Sequence, residues 1–172
     1  MAILPLVKAP DPRLKKISEP IGEVDKELRR FMDNMLETMY DANGIGLAAI
    51  QVGVPKRVVV IDLDPKGPDS KQLYIINPVI VAASGSESTY NEGCLSVPDF
   101  YEDVHRPSEI TVEYMDEKGR KQRIEASGLF ATCLQHEIDH INGMLFIDHL
   151  SKLKRSIALR KSAKAKRMEK DD

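Results

Sequence analysis

Two histidines four residues apart constrain the fold of this chain more than any other feature: they stand in His136-Glu137-Ile138-Asp139-His140. A helix places residues at that spacing on one face, one turn above the other. If both rings grip one ion, the segment is helical and packed well enough to exclude bulk water. Ser127-Gly128 predicts the start of that helix and Asn142-Gly143 its stop, with Leu129, Phe130, Cys133, Leu134 and Ile141 as an apolar periphery. Glu137 lies between the imidazoles, able to reach a water on the ion without being a ligand, which is what a metal-assisted hydrolase needs. The competing reading is a pair of core histidines hydrogen-bonded to backbone.

A tetrahedral ion needs a third protein donor and an open position. A metzincin-type continuation, H-E-x-x-H-x-x-G-x-x-H, is closed, because Gly143 falls on the glycine but Phe146 occupies the last position. A thermolysin-like glutamate is a poor candidate, since the only one after His140 is Glu169, in a lysine-rich tail. His149 would require the chain to double back at once. The better candidate lies upstream, in Asn91-Glu92-Gly93-Cys94-Leu95-Ser96-Val97-Pro98. There Cys94 is expected on a tight, irregular loop that presents its sulfur to a cation, which favours the thiolate. The alternative for Cys94 is a small buried hydrophobe. Cys133, three residues before His136, is expected to pack beside the site.

A third segment is Gly44-Ile45-Gly46-Leu47-Ala48-Ala49-Ile50-Gln51. It is neither a Walker loop nor a dinucleotide fingerprint. Its small residues permit close backbone approach. Taken alone it reads as a helix C-cap at Asn43-Gly44 followed by a loop.

In this order, G-I-G-L-A-A-I-Q at 44 to 51, E-G-C-L-S at 92 to 96 and Q-H-E-I-D-H at 135 to 140 resemble the peptide deformylase family, over most of the chain. The resemblance implies removal of the formyl group from formylmethionyl nascent peptides, with release of formate. It implies Cys94, His136 and His140 as metal ligands and Glu137 as the catalytic glutamate. The Gln51 side chain and the Leu95 N–H are implied as donors to the oxyanion, and the Gly46 backbone as the group that fixes a substrate lying extended beside a strand edge. Ile45, Tyr90, Leu129, Cys133 and the His136 ring would surround the methionine side chain, with Thr132 at its edge. An ion pair between Glu92 and Arg106 would brace the cysteine segment. One departure is Ile50, where the family's first motif usually has proline; a turn tuned rather than abolished is expected.

A divalent ion on these donors lowers the pKa of bound water toward roughly 7. Glu137 would then take the water proton and deliver it to the departing amine. Donor chemistry suits Zn2+, but a thiolate with two imidazoles also accepts Fe2+, Co2+ or Ni2+. The resemblance favours Fe2+ in the cell, with Cys94 the thiolate exposed to oxidation. Two other classes stay open. One is a zinc endopeptidase of the HExxH type, which lacks its downstream ligand; the other is a non-catalytic metal- or ribosome-binding protein, in which Glu137 would be dispensable.

A chain of 172 residues, 42% hydrophobic and 30% charged, fits one soluble domain with a sizeable core. Two cysteines leave no disulfide framework, no segment suits a membrane, and the N-terminus lacks the look of a signal or transit peptide, so a cytoplasmic location is expected. Apolar spacing predicts a helix over 25–42, from Leu28 through Tyr40. Strands are predicted over 57–63 and 73–81 about a turn at 64–69, and a hairpin over 109–115 and 120–126 about 116–119. The class is α+β: mainly antiparallel sheets packed around a central metal-binding helix, with an N-terminal helix and a basic C-terminal one. Residues 1–150 are read as the catalytic domain. The tail, 151–172, holds nine Lys/Arg against three acids, a net of +6 in a chain of net charge −2. Leu153, Ile157 and Met168, with Leu150, suggest an amphipathic helix that docks partly. The resemblance implies contact with the ribosome near the exit tunnel, where this charge could meet RNA phosphates.

Overall fold

A computed structural model describes residues 2–171; Met1 and Asp172, the ends of the two stretches drawn from sequence, lie outside the described residues. The chain runs α1 (Lys26–Asp41), β1 (Gly46–Ala48), β2 (Val58–Ile61), β3 (Leu73–Ala83), β4 (Glu87–Cys94), β5 (Val97–Pro107), β6 (Glu109–Met115), β7 (Lys121–Ser127), α2 (Gly128–Ile141) and α3 (Lys152–Asp171). One sheet has the order β1-β2-β3-β6-β7; β4 and β5 form a separate two-stranded ribbon. Every pairing between these strands is antiparallel, so the fold is α+β as expected.

The all-apolar run Val58-Val59-Val60-Ile61 explains how the two helices are placed. Successive side chains of a strand point to opposite faces, and all four here are buried, so both faces of the sheet are covered. Val58 and Val60, with Ile76 and Leu47, pack against Met32, Met35, Leu36 and Met39 of α1. Val59 and Ile61, with Ile75 and Ala48, pack against Ala131, Leu134, Ile138 and Ile141 of α2. Each fully buried side chain of this size is worth roughly 1.5–3 kcal/mol. α1 is capped by Asp25, whose carboxylate accepts the Leu28 N–H at 2.8 Å.

Several expectations need correction. The segment around Cys94 is not an irregular loop but the tip of the long β4–β5 hairpin, with a register shift between Glu92 and Cys94. Its strands escaped the pattern reading because mostly polar or partly exposed residues, Glu87 to Gly93, make up β4. Asn43, at φ 59°, and the Gly44 N–H bonded to the Met39 carbonyl do end α1, but strand β1 and a 3-10 turn over Ala49–Val52 follow in place of a loop. Ser127 precedes α2, yet its hydroxyl makes no capping bond. Leu153, Ile157 and Met168 of α3 are exposed; the helix docks instead through Ala158, Leu159 and Ser162, whose hydroxyl donates to the Ala9 carbonyl. The small residues Ala158 and Ser162 permit that close approach, and Leu159 packs partly buried beside them. No helix among the described residues is long and apolar enough to cross a membrane.

Candidate active site

α2 is buried nearly all round, and its polar residues Gln135, His136, Glu137 and His140 are buried with it. The β4–β5 tip lies over this helix and brings Cys94 to the two histidines: one donor atom from each of the three residues lies within 4.8 Å of the others. Cys94 Sγ stands 3.4 Å from His140 Nε2. A tetrahedral ion with metal–sulfur near 2.3 Å and metal–nitrogen near 2.1 Å separates such donors by about 3.5 Å, so the donor set fits a divalent ion of the zinc or iron(II) kind. His149 and Glu169 are not in this cluster among the described residues.

The second nitrogen of His136 is fixed from behind. Nδ1 donates to Glu92 Oε1 at 3.0 Å, leaving Nε2 to face the site. Glu92 in turn takes two bonds from Arg106, from Nε at 2.7 Å and Nη2 at 3.0 Å, so the expected ion pair is formed, buried and bidentate. Burial opposes ionisation of Glu92, but hydrogen bonds from His136 and Arg106 hold its carboxyl below the usual range. Burial opposes protonation of His136 as well, yet Cys94 and Glu92 outweigh it and raise its affinity for a proton. His140 goes the other way: burial, with His136 beside it, keeps the imidazole neutral, as a metal ligand must be.

Glu137 lies in the floor of a cleft of about 420 Å³. Burial pushes its carboxyl up to about 7, against the pull of His136. Its Oε2 has no hydrogen-bond partner among protein atoms. A Cβ on Gly46 would stand 3.0 Å from Glu137 Oε1 and 3.1 Å from Cys133 Sγ, so β1 approaches the acid closely and a side chain here would press on both groups. Burial pushes the Cys133 thiol up, with Glu137 and Glu92 adding to it, which keeps it a neutral wall of the cleft.

Ile45, Tyr90, Leu129, Thr132, Cys133 and His136 all line the cleft, the group expected around a methionine side chain. Gln51 is held at both ends of its amide: Oε1 accepts the Ala48 N–H at 3.0 Å, and Nε2 donates to Ser96 Oγ at 3.0 Å while lying 3.5 Å from Cys94 Sγ. Ile50 is buried in the 3-10 turn before it. The early N–H groups of such a turn have no partner within it, so the turn forms with or without proline's missing donor. Leu95 sits in the hairpin turn and lines the same cleft.

Four residues near the site, Ser96, Asp139, His149 and Phe146, have roles that no motif assigned to them. Ser96 holds Gln51. Asp139 accepts Arg106 Nη1 at 2.9 Å and His149 Nε2 at 2.8 Å. Phe146 stacks on the His136 ring, centroids 5.9 Å apart. Asp139 had a signal, being the second acid inside the pentapeptide; the others depend on chain reversals that no local pattern records.

A family model described as polypeptide deformylase matches residues 3–156. A peptide deformylase of Rhizobium meliloti is 56% identical over 165 residues, covering 96% of this chain and 95% of that protein. The crystal structure of a peptide deformylase from Legionella pneumophila superposes with a TM-score of 0.93 at 46% identity, covering 99% of both chains. That of a peptide deformylase from Ehrlichia chaffeensis in complex with actinonin gives 0.91 at 43% identity, covering 97% of this chain and 99% of the other.

Proposed function

The chain belongs to the polypeptide deformylase family, and from that premise we propose how its own residues remove the formyl group from formylmethionyl nascent peptides. Cys94, His136 and His140 are the proposed ligands of one divalent ion. When bound, the ion supplies a Lewis acid and lowers the pKa of water toward roughly 7. Glu137, already poised near neutrality by burial, takes a proton from the attacking water and returns it to the amine as the C–N bond breaks, leaving formate and a free N-terminus. The Gln51 amide and the Leu95 N–H donate to the oxyanion that develops on the formyl carbonyl; losing one such donor costs about 3 kcal/mol of barrier. The peptide lies extended along the free edge of β1, where Gly46 lets its backbone come close. Its methionine side chain enters the apolar, polarizable lining of Ile45, Tyr90, Leu129 and Cys133.

The observation that supports this reading most directly is the gathering of Cys94, His136 and His140 in one cleft beside the buried Glu137, whose Oε2 has no hydrogen-bond partner among protein atoms. It is tested by formate release from formyl-Met-Ala-Ser before chelation, after it, and after return of metal. Release that stops with the chelator and resumes with the ion is expected; release indifferent to metal would overturn it. We take Fe2+ as the resident ion, with Zn2+, Ni2+ or Co2+ able to use the same donors.

We assign the enzyme to the cytoplasm and its basic helix α3 to the ribosome surface near the exit tunnel. Lys161, Lys164 and Arg167 are exposed, whereas Ser162 is buried, so charge neutralisation is a cleaner test than truncation. Changing these three to Gln should leave activity on a short peptide intact while weakening ribosome binding and flattening its salt dependence. Unchanged affinity at low and moderate salt would remove the ribosome from the proposal.

A further inference from the structure

Beyond α2 the chain reverses at Gly143 and forms a 3-10 turn over Phe146–His149. This turn touches the metal helix at two points. Phe146, fully buried, lays its ring against the face of His136 at an interplanar angle of 23°. His149, at the other end, donates through Nε2 to Asp139 Oδ2 at 2.8 Å. The same Asp139 oxygen accepts Arg106 Nη1 at 2.9 Å, and Arg106 grips Glu92, which holds His136 Nδ1. An unbroken line of hydrogen bonds thus runs from His149, a third exposed, to the candidate ligand His136, 9% exposed.

We infer that the Phe146–His149 turn is a positioning element for His136, and that His149 is a positioning residue acting through Asp139 and Arg106. The inference rests on the assignment of His136 as a ligand. A ligand imidazole has two freedoms, rotation about its bonds and slippage of the ring plane. Glu92 restrains the first, but only if its own orientation is fixed. The guanidinium of Arg106 is a rigid fork; with two arms on Glu92 and the third on Asp139, it cannot pivot. Asp139 is held in its turn by His149, which comes from a different segment of chain. The Phe146 ring restrains the second freedom from the face. Outer partners of metal ligands typically change metal affinity by about 10–100-fold when lost.

The test uses the metal-loaded enzyme and its rate of ion loss to a chelator, read beside kcat and KM on a formyl peptide. His149→Ala should speed ion loss about tenfold with KM unchanged. His149→Gln, whose amide Nε2 can donate to Asp139 from nearly the same place, should restore the slow rate. In an Asp139→Asn background, His149→Ala should add little, because the two act in series. Three results would overturn the inference: ion loss unaffected by His149→Ala, no rescue by Gln, or independent effects of the two substitutions. If His136→Ala also left metal content and ion loss unchanged, the ligand assignment itself would fail, which separates that failure from this one.

Discussion

The two helices that sandwich the large sheet bury themselves by opposite means. α1 hides an apolar stripe, Met32, Met35, Leu36 and Met39, and keeps its charges outside. α2 is buried on almost every side and takes Gln135, His136, Glu137 and His140 in with it. An apolar stripe asks for volume and shape, and side chains of similar size can stand in for one another. A buried polar face has to be answered group by group. Around α2 the answers come from scattered segments: Glu92 for His136, the Pro107 carbonyl for Gln135, and Arg106 and His149 for Asp139. Stability is collective at α1 and specific at α2, and only the specific arrangement can do chemistry.

The sharpest way to break this contrast pairs one residue from each helix. Glu137→Gln should lower kcat by about 10³, within the usual range for a general acid–base, while the enzyme still holds its metal. Met35→Ala should cost about 2–5 kcal/mol in urea and leave kcat of the folded enzyme within about twofold. Near-normal formate release by the first, or lost turnover without lost stability in the second, would erase the distinction.

Charges offer the next comparison. Arg106→Ala strands Glu92 and Asp139 in a buried site and should destabilise by about 3–5 kcal/mol. Arg30→Ala, on the exposed side of α1, should change stability by less than about 0.5 kcal/mol. Equal effects in denaturant titrations would show the buried network to be ornamental.

Acid and base titration sharpen the contrast further in the metal-free protein. Burial works against Glu92 and Asp139, but their partners hold both carboxyls below the usual range, so their stabilisation is present above that range and fades as pH falls through their folded values. Glu137 has the reverse sign. With its carboxyl raised from 4.5 to about 7, its neutral form is favoured in the fold, and stability declines as pH rises across that interval. The wild-type thermal midpoint should therefore fall relative to that of Glu137→Gln from pH 4.5 toward 7, since the opposite contribution of the buried neutral His140 is common to both. A wild type whose midpoint rises over that interval by the same amount as the variant would contradict the assignment.

The smallest effect concerns Ile50. Ile50→Pro should alter stability by less than about 1 kcal/mol and leave kcat alone, because loss of a buried side chain is offset by a stiffer unfolded chain. A tenfold change in kcat would mean that the turn aiming Gln51 depends on this residue.

The two helices also differ in how they could be read. α1 follows from spacing and an N-cap, both local. α2 follows from a chemical motif, since a helix buried all round has only a weak amphipathic rhythm. Val58 to Ile61 and the 109–127 hairpin were legible as apolar or alternating runs. The ribbon of β4 and β5 was not, because it exposes much of one face and carries Glu, Ser, Thr and Asn at positions that read as loop. Cys94 was therefore identified by its chemistry while the structure that presents it was misjudged. Asp139, His149 and Phe146 escaped for a related reason: their roles are relations between segments brought together by the reversal at Gly143.

Gly46 has no side chain, and the space one would fill is taken by the Glu137 carboxylate, 3.0 Å from where a Cβ would lie. The strand edge proposed to receive the peptide and the group proposed to move the proton thus share a surface. Any inhibitor laid along that edge rests against both. A larger residue at position 46 would crowd out the inhibitor and displace the carboxylate in the same stroke, so an escape mutation there would disarm the enzyme it was meant to protect.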